Sequence, residues 1–362
     1  MFLIDTLRIA LLSSLLPLFL FCAAIETFYG VMEVEEPVLL ELIESPAFQR
    51  LRHVRQYGVS YYTTHREEYT RYAHSLGVFA VLRSQGASLK EQIAGLLHDV
   101  SHTVFSHVGD WLFEVENQSD DYQSRVHKSF LEHYGLGEIL ERHGFTIDEV
   151  LPLGELFPAL EQSLPNLCAD RIDYNIQGAY HRGSITQEEA LQLFEDLQFV
   201  DGLWVVTQKE LWARVVRYSL MMSQECWGGP TNFLSSRWLA DAMKRGLELG
   251  LLSLEEIHFG TDQKVWDKLM ESEDGFIQER LQRVLHVTEL YQLTDPVHAD
   301  MVVVSKCRGF NPLVVEGDHL VRLLSTDPEL EAEYARVRAK SASGWPLHLL
   351  LEGGGVDVSD RI

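Results

Sequence analysis

A mainly helical protein, with one small β-hairpin and a mixed α/β lobe toward its C-terminus, is predicted by three features of the sequence. Helix-start signatures recur at Ser88-Leu-Lys-Glu91, Thr186-Gln-Glu-Glu189 and Ser253-Leu-Glu-Glu256. In each, a hydroxyl and a carboxylate three residues apart can satisfy free amides of a first helical turn. Residues Asp170, Asp173, Tyr174, Gln177, Gly178 and His181 follow one another at offsets 3, 4, 7, 8 and 11, which is one face of a helix. Strand signals are few. The clearest is Phe199 to Val206, where Asp201-Gly202 between apolar runs predicts a hairpin, and Met301 to Ser305 is a second candidate.

Taken in order, the chain opens with an apolar run from Ile9 to Ala24 that follows Arg8 and ends in small residues. It reads as a secretory signal peptide over 1–24, predicting export, because Pro17 interrupts it and about 20 apolar residues are needed to span a bilayer. A start at Met32 is the alternative; it would leave the protein cytoplasmic and lose Phe28-Tyr29-Gly30. Ser45-Pro46 begins a helical run through Gln56, and the capping signatures open helices near 187–198 and 254–258. Residues 25–230 form the expected core, and 231–362 a helical continuation with the C-terminal lobe.

Composition narrows the function classes. With 30 Lys+Arg against 54 Asp+Glu in 362 residues, the net charge of −24 argues against nonspecific nucleic-acid binding, which cations drive by releasing counterions. Hydrophobic residues make up 46%, enough for a core and against disorder. The cysteines, at 22, 168, 226 and 307, form no CxxC pair, so neither a structural zinc site nor a disulfide framework is indicated.

The chemistry-bearing residues cluster before residue 230. In Ala94-Gly-Leu-Leu-His98-Asp99-Val-Ser-His102, an apolar helix ends in two adjacent side chains able to bind a metal. Burying an imidazole beside a carboxylate is costly unless both are hydrogen-bonded or hold a cation. One such pair occurs by chance in many proteins; here Arg71-Tyr-Ala-His74 precedes it and the polar face of 170–181 follows. That face is either solvated surface or the wall of a cleft, with Ile172 and Ile176 directed to the core. Two imidazoles and two carboxylates would make a mixed N/O shell suited to Fe, Mn, Ni, Zn or Mg with positions left open.

These residues resemble the HD-domain metal-dependent phosphohydrolases, and more narrowly the branch of the deoxynucleoside triphosphate triphosphohydrolases and their bacterial relatives. The resemblance runs in order through Phe28-Tyr29-Gly30, Phe48-Gln-Arg-Leu-Arg-His-Val-Arg-Gln-Tyr-Gly58, Arg71-x-x-His74-Ser-Leu-Gly, Leu96 to His107 and Asp170-Arg-Ile-Asp-Tyr174. It covers roughly residues 28–230 and implies a helical HD core with His74, His98, Asp99 and Asp170 as ligands of a divalent metal. It further implies that His102, His107 and His127 line the phosphates as acid or electrostatic groups. Arg71 and Arg171 match phosphate contacts, Gln56 and Tyr57 positions near sugar and base, Tyr174 a residue packed on the sugar, and His181 completes the substrate-side set. His53, His65, His133 and His143 read as structural.

Three departures separate the chain from that branch. Gly178 stands where an aspartate would hold a sugar 3′-hydroxyl. The loop after His98-Asp99 reads Val-Ser-His-Thr-Val, and a later Tyr-x-His group is missing, leaving Arg217 as a candidate phosphate contact. The leading expectation is therefore a divalent-metal phosphohydrolase acting on a nucleotide, with a dNTP (released as deoxynucleoside and tripolyphosphate) as first candidate. A phosphomonoesterase or phosphodiesterase of HD type is the alternative within the class. A nonenzymatic, nucleotide-sensing scaffold is the alternative outside it. A homo-oligomer is expected by analogy alone.

Overall fold

The computed structural model describes residues 23–64, 69–114 and 121–350. The proposed signal peptide lies outside the described residues up to position 22, and so does His65. Ala23 and Ala24 already belong to the first strand, paired with Val34 and Glu33.

The described chain is mainly helical. A hairpin of β1 (Ala23–Thr27) and β2 (Gly30–Val34) leads into α1 (Pro37–Glu44), α2 (Pro46–Gln49), α3 (Ser60–Thr64), α4 (Arg71–Ser84) and α5 (Leu89–Leu97). Next come α6 (Val108–Leu112), α7 (Tyr122–His133), α8 (Leu136–Arg142), α9 (Ala169–His181) and α10 (Gln187–Glu195), then β3 (Gln198–Val200) and β4 (Leu203–Val206). Helices α11 (Lys209–Glu225), α12 (Pro230–Glu248), α13 (Leu254–Phe259), α14 (Asp262–Met270) and α15 (Gly275–Leu285) follow. The chain closes through β5 (Tyr291–Leu293), β6 (Met301–Val303), β7 (Leu313–Glu316), β8 (His319–Arg322), α16 (Pro328–Ser343) and β9 (Trp345–Leu349). No described helix is long and apolar enough to cross a membrane.

The hairpin expected at 199–206 is present, with Asp201 and Gly202 at φ 50° and 79°, the left-handed pair a two-residue turn requires. It is not isolated: β4 runs parallel to β7, giving a sheet of order β3-β4-β7-β8. Capping boxes open α10 and α13. At α5 only half the box forms. Ser88 accepts from Glu91 N–H, but the Glu91 carboxylate reaches across to accept from the N–H groups of Ala159 (3.0 Å) and Leu160 (3.2 Å).

The helical run expected from Ser45 to Gln56 is broken. After α2 the chain tightens into a 3₁₀ turn at Arg50–His53, and Arg55 bridges Thr70. The reason is tertiary. The Arg50 guanidinium turns inward to the carbonyls of Val100 (2.8 Å) and His102, and the N–H groups of Arg55 and Gln56 go to Asp262 Oδ2 (2.9 Å) and Tyr69 O (3.1 Å) instead of to a helix ladder. Asp262 also accepts Phe105 N–H at 2.7 Å. Phe105 and Ser106 lie at φ 56° and 55°, a conformation costing about 1 kcal/mol or more per residue that something must hold in place. One buried carboxylate at the start of α14 thus fixes both the segment before α3 and the loop after His98-Asp99. Each of those N–H groups would cost about 1–3 kcal/mol if left without a partner.

The apolar core forms three clusters. One packs α4, α9 and α11 with Phe310 and Leu330 of the C-terminal lobe; a second joins the 104–112 segment to α12, α14, α15 and β9; the third packs α1, α5, α7 and α8. Helix α9 therefore sits between core and cleft. Ile172 and Ile176 are fully buried on one side; on the other, Asp173 and Gln177 pack against α4 and Gly178 under Tyr57 and Tyr218, so most of the polar face is packed and not solvated, with Asp170 partly open.

Candidate metal centre

Three elements converge on one point. Helix α4 starts with Thr70 capping Ala73 N–H, which sets Arg71 and His74 one turn apart on a buried face. Gly77, the glycine of Arg71-x-x-His74-Ser-Leu-Gly, is required by what crosses it: a Cβ there would lie 1.9 Å from Asp173 Oδ1 and 2.7 Å from Gln177 Nε2. Its absence lets α9 close onto α4. Helix α5 delivers His98 and Asp99 at its C-terminal end, where the ladder stops and side chains turn toward the cleft.

The imidazoles are oriented from behind. His74 Nδ1 lies 2.6 Å from Asp173 Oδ2, and His98 Nδ1 lies 2.7 Å from Gly95 O. Both partners accept, so each Nδ1 carries a hydrogen, and each Nε2 is the nitrogen that would present a lone pair inward to a metal. Those two Nε2 atoms stand 3.2 Å apart. Asp170 Oδ1 lies 2.9 Å from His74 Nε2 and 3.5 Å from His98 Nε2, while the Asp99 oxygens are 3.5 Å and 3.6 Å from the same two atoms. Donor atoms of His74, His98 and Asp99 fall within 4.8 Å of one another, and all three residues are buried. Two converging Nε2 atoms and two carboxylates need positive charge among them, supplied by a proton or a cation, and the mixed N/O donor set fits a divalent metal.

Charges in the free protein follow the same logic. Burial opposes a charged His74, but the hydrogen bonds it donates to Asp170 and Asp173 prevail and push its imidazole up to about 10. A proton then does part of the work of a cation. Asp99 is held well below the usual carboxylate range against burial, first by Arg71. Arg71 pairs directly with Asp99 Oδ2, and its Nε donates to Ser106 Oγ (2.7 Å), which donates in turn to Arg55 O (2.7 Å).

The other sequence-identified residues divide. His102 Nε2 is 3.2 Å from Asp99 Oδ1, and burial, then the charge of Arg71, brings its imidazole down to about 4. His107 packs its ring 5.0 Å from that of His102, half-exposed at the mouth, with Nδ1 3.0 Å from Asp110. His127 bonds Ser101 Oγ through Nδ1 (2.8 Å), and its buried Nε2 has no partner among the described residues. Tyr174 stands edge-on to Trp227 at 5.5 Å. Gln56 keeps its side-chain oxygen buried without a partner among the described residues. His181 stacks on Tyr69 at 5.2 Å, three turns along α9 from Asp170.

Two of the arginines expected at the phosphates have protein partners in this structure. The Arg171 guanidinium donates to the carbonyls of Gln162 (3.2 Å) and Asn166, and its buried Nε has no partner among the described residues. Arg217 is engaged by Asp327 (3.1 Å) and Glu333 (3.5 Å).

Residues the sequence did not single out are Ser106, Tyr218, Arg182 and Glu161. Tyr218 OH lies 2.9 Å from Tyr57 OH, directly over Gly178. Glu161, in an irregular segment without periodicity, has its carboxyl pushed up to about 7 by burial and then by the charge of Asp170.

Comparison with known proteins places this geometry. The model of the HD domain matches residues 71–174, which contain every one of the four convergent donors. An uncharacterised Bacillus subtilis protein, YdhJ, is 32% identical over 299 residues, spanning 82% of this chain and 90% of its own length. The metal-dependent phosphohydrolase cns2 of Cordyceps militaris is 30% identical over 266 residues, 72% of this chain and 76% of that one. The deoxynucleoside triphosphate triphosphohydrolase SAMHD1 of Danio rerio is 30% identical over a shorter stretch of 147 residues, 35% of this chain and 24% of that protein. The chain belongs to the HD-domain metal-dependent phosphohydrolases.

Proposed function

We propose that this protein is a divalent-metal phosphohydrolase that releases orthophosphate from a nucleotide phosphomonoester. The observation that carries the metal chemistry is the convergence of His74 Nε2, His98 Nε2, Asp99 and Asp170, oriented by Asp173 and Gly95 from behind. These four residues would hold the cation. When bound, a divalent ion supplies Lewis-acid chemistry, polarising a phosphoryl oxygen and lowering the pKa of water.

The chain's own groups do the rest. Asp173 fixes the His74 tautomer, and Arg71, anchored on Asp99 and Ser106, contributes fixed positive charge beside the reacting phosphoryl group. His102 is neutral at pH 7 in the free protein and donates its Nε2 hydrogen to Asp99. His107, in contact with solvent and edge-on to His102, is the imidazole placed to protonate a leaving oxygen.

Release of tripolyphosphate from a dNTP draws on the same phosphate side, and the match to SAMHD1 favours it over the shared segment. The sugar side favours the monoester. No side chain fits at position 178, because a Cβ would meet Tyr218 OH at 2.1 Å and Tyr57 OH at 2.4 Å, so a carboxylate for a sugar 3′-hydroxyl has no room.

The test is turnover by purified protein loaded separately with Mn, Fe, Ni, Mg and Zn and offered nucleoside monophosphates and dNTPs. Orthophosphate from a monophosphate is the expected product. Tripolyphosphate from a dNTP would replace the monoester reading, and metal bound in an intact fold with no turnover of any phosphoester would replace catalysis with a sensing or scaffolding role.

A further inference from the structure

Helix α9 carries a stripe that leads away from the metal donors. Asp170, Tyr174, Gly178 and Arg182 are spaced four residues apart, a row that winds about 40° around α9 at each step, with Gly178 about 12 Å along the axis from Asp170 and Arg182 about 40° beyond Gly178. At Gly178 the surface is built by other elements: Tyr57 from the segment before α3 and Tyr218 from α11 place their hydroxyls where a side chain would be. Helical side chains tilt toward the N-terminus, so Arg182, one turn further on, reaches back over this point. Its guanidinium lies 5.9 Å from the centre of the Tyr57 ring and 3.6 Å from Cys226 Sγ. Among the described residues no carboxylate lies within ion-pair distance of it.

The chemistry of this end is one-sided. Two phenols hold two hydrogens and share one in their mutual bond; the other can turn between the neighbouring Tyr69 hydroxyl, whose own hydrogen goes to Tyr174 O, and an incoming acceptor. Burial holds both phenols well above their usual range, so they stay protonated donors. The charged neighbour of Tyr218 is Arg182, not an acid. A carboxylate at position 178 would repel an anion, and none can be accommodated.

We propose that Arg182 and the Tyr57–Tyr218 hydroxyl pair over Gly178 form an anion subsite at the distal end of the α9 wall. The substrate is then a phosphoester whose organic part carries a second anionic group, as in a nucleoside bisphosphate. This rests on the phosphohydrolase reading for the phosphate that reacts; the second anion is bound and not cleaved.

The experiment compares adenosine 3′,5′-bisphosphate with adenosine 5′-monophosphate on the full chain in two ways. One is kcat/KM with the Mn-loaded protein, and the other is affinity by calorimetry in EDTA, where hydrolysis is off. The bisphosphate is expected to be favoured by about tenfold or more in both, the gain of one charge-assisted contact set. Arg182→Gln should bring both ratios toward one, and Arg182→Lys should keep part of the preference. Tyr218→Phe, which preserves packing, should lower the ratio with circular dichroism unchanged. A ratio near one in the wild-type protein, or one that Arg182→Gln leaves in place, overturns the subsite. A tenfold affinity ratio with no turnover of either compound keeps the subsite and overturns the phosphohydrolase reading instead.

Discussion

Asp170→Ala is expected to abolish metal binding and turnover together while leaving the helical fold intact. The carboxylate closes the donor set, with Oδ1 at 2.9 Å and 3.5 Å from the two inward imidazole nitrogens, yet a quarter of its side chain is exposed, so truncation opens no core cavity. Asp99 would be a poorer probe: removing it strands Arg71, which is 3% exposed, and an unpaired buried charge costs about 3–5 kcal/mol of stability. Loss of a metal ligand should reduce turnover by roughly 10³-fold, the scale of several kcal/mol of transition-state stabilisation. Bound metal measured by inductively coupled plasma mass spectrometry should fall with it, and far-UV circular dichroism should not change. Full metal occupancy or undiminished turnover in this variant would remove Asp170 from the site.

Gly178→Ala is expected to destabilise the protein, although alanine is the better helix former by about 1 kcal/mol. The added methyl meets two phenolic oxygens at 2.1 Å and 2.4 Å. Tyr218 is 2% exposed and cannot swing aside, so overpacking of about 1–3 kcal/mol outweighs the propensity gain and breaks the hydroxyl pair as well. In urea unfolding the variant should lose about 1–2 kcal/mol net. Tyr218→Ala in the same chain removes the nearer of the two obstacles and gives Tyr57 OH room to move, so the double-mutant cycle should show coupling of about 1 kcal/mol or more. An alanine variant more stable than the wild-type protein would mean that the space above α9 is open, and with it the case against a sugar-holding carboxylate would fall.

How much of this was readable in advance follows from the physics of each residue. His74, His98, Asp99 and Asp170 were legible because a metal site needs several ligand types at fixed offsets, and such spacing survives in the sequence however the elements later pack. Gly178 was legible as a missing carboxylate. Its steric cause was not, because Tyr218 lies among Val215, Val216 and Leu220 on a core-facing stretch of α11 and reads as core. The carbonyl partners of Arg171 were not legible: adjacent positions on a helix point about 100° apart, and only the packed segment at 162–166 brings the carbonyls of Gln162 and Asn166 to its guanidinium. The hairpin at 199–206 was fixed by two residues, Asp201 and Gly202, that tolerate left-handed backbone. The break after Gln49 depends on Asp262, more than 200 residues away in sequence, which no local pattern can announce.

The measurement that bears most directly on the account is anomalous diffraction from crystals of the protein grown with manganese. The expected result is one strong peak bounded by the Nε2 atoms of His74 and His98 and by carboxylate oxygens of Asp99 and Asp170, lost in crystals of Asp170→Ala. A peak elsewhere, or none at this cluster in a crystal that preserves its geometry at saturating manganese, would contradict a metal-dependent mechanism at these residues.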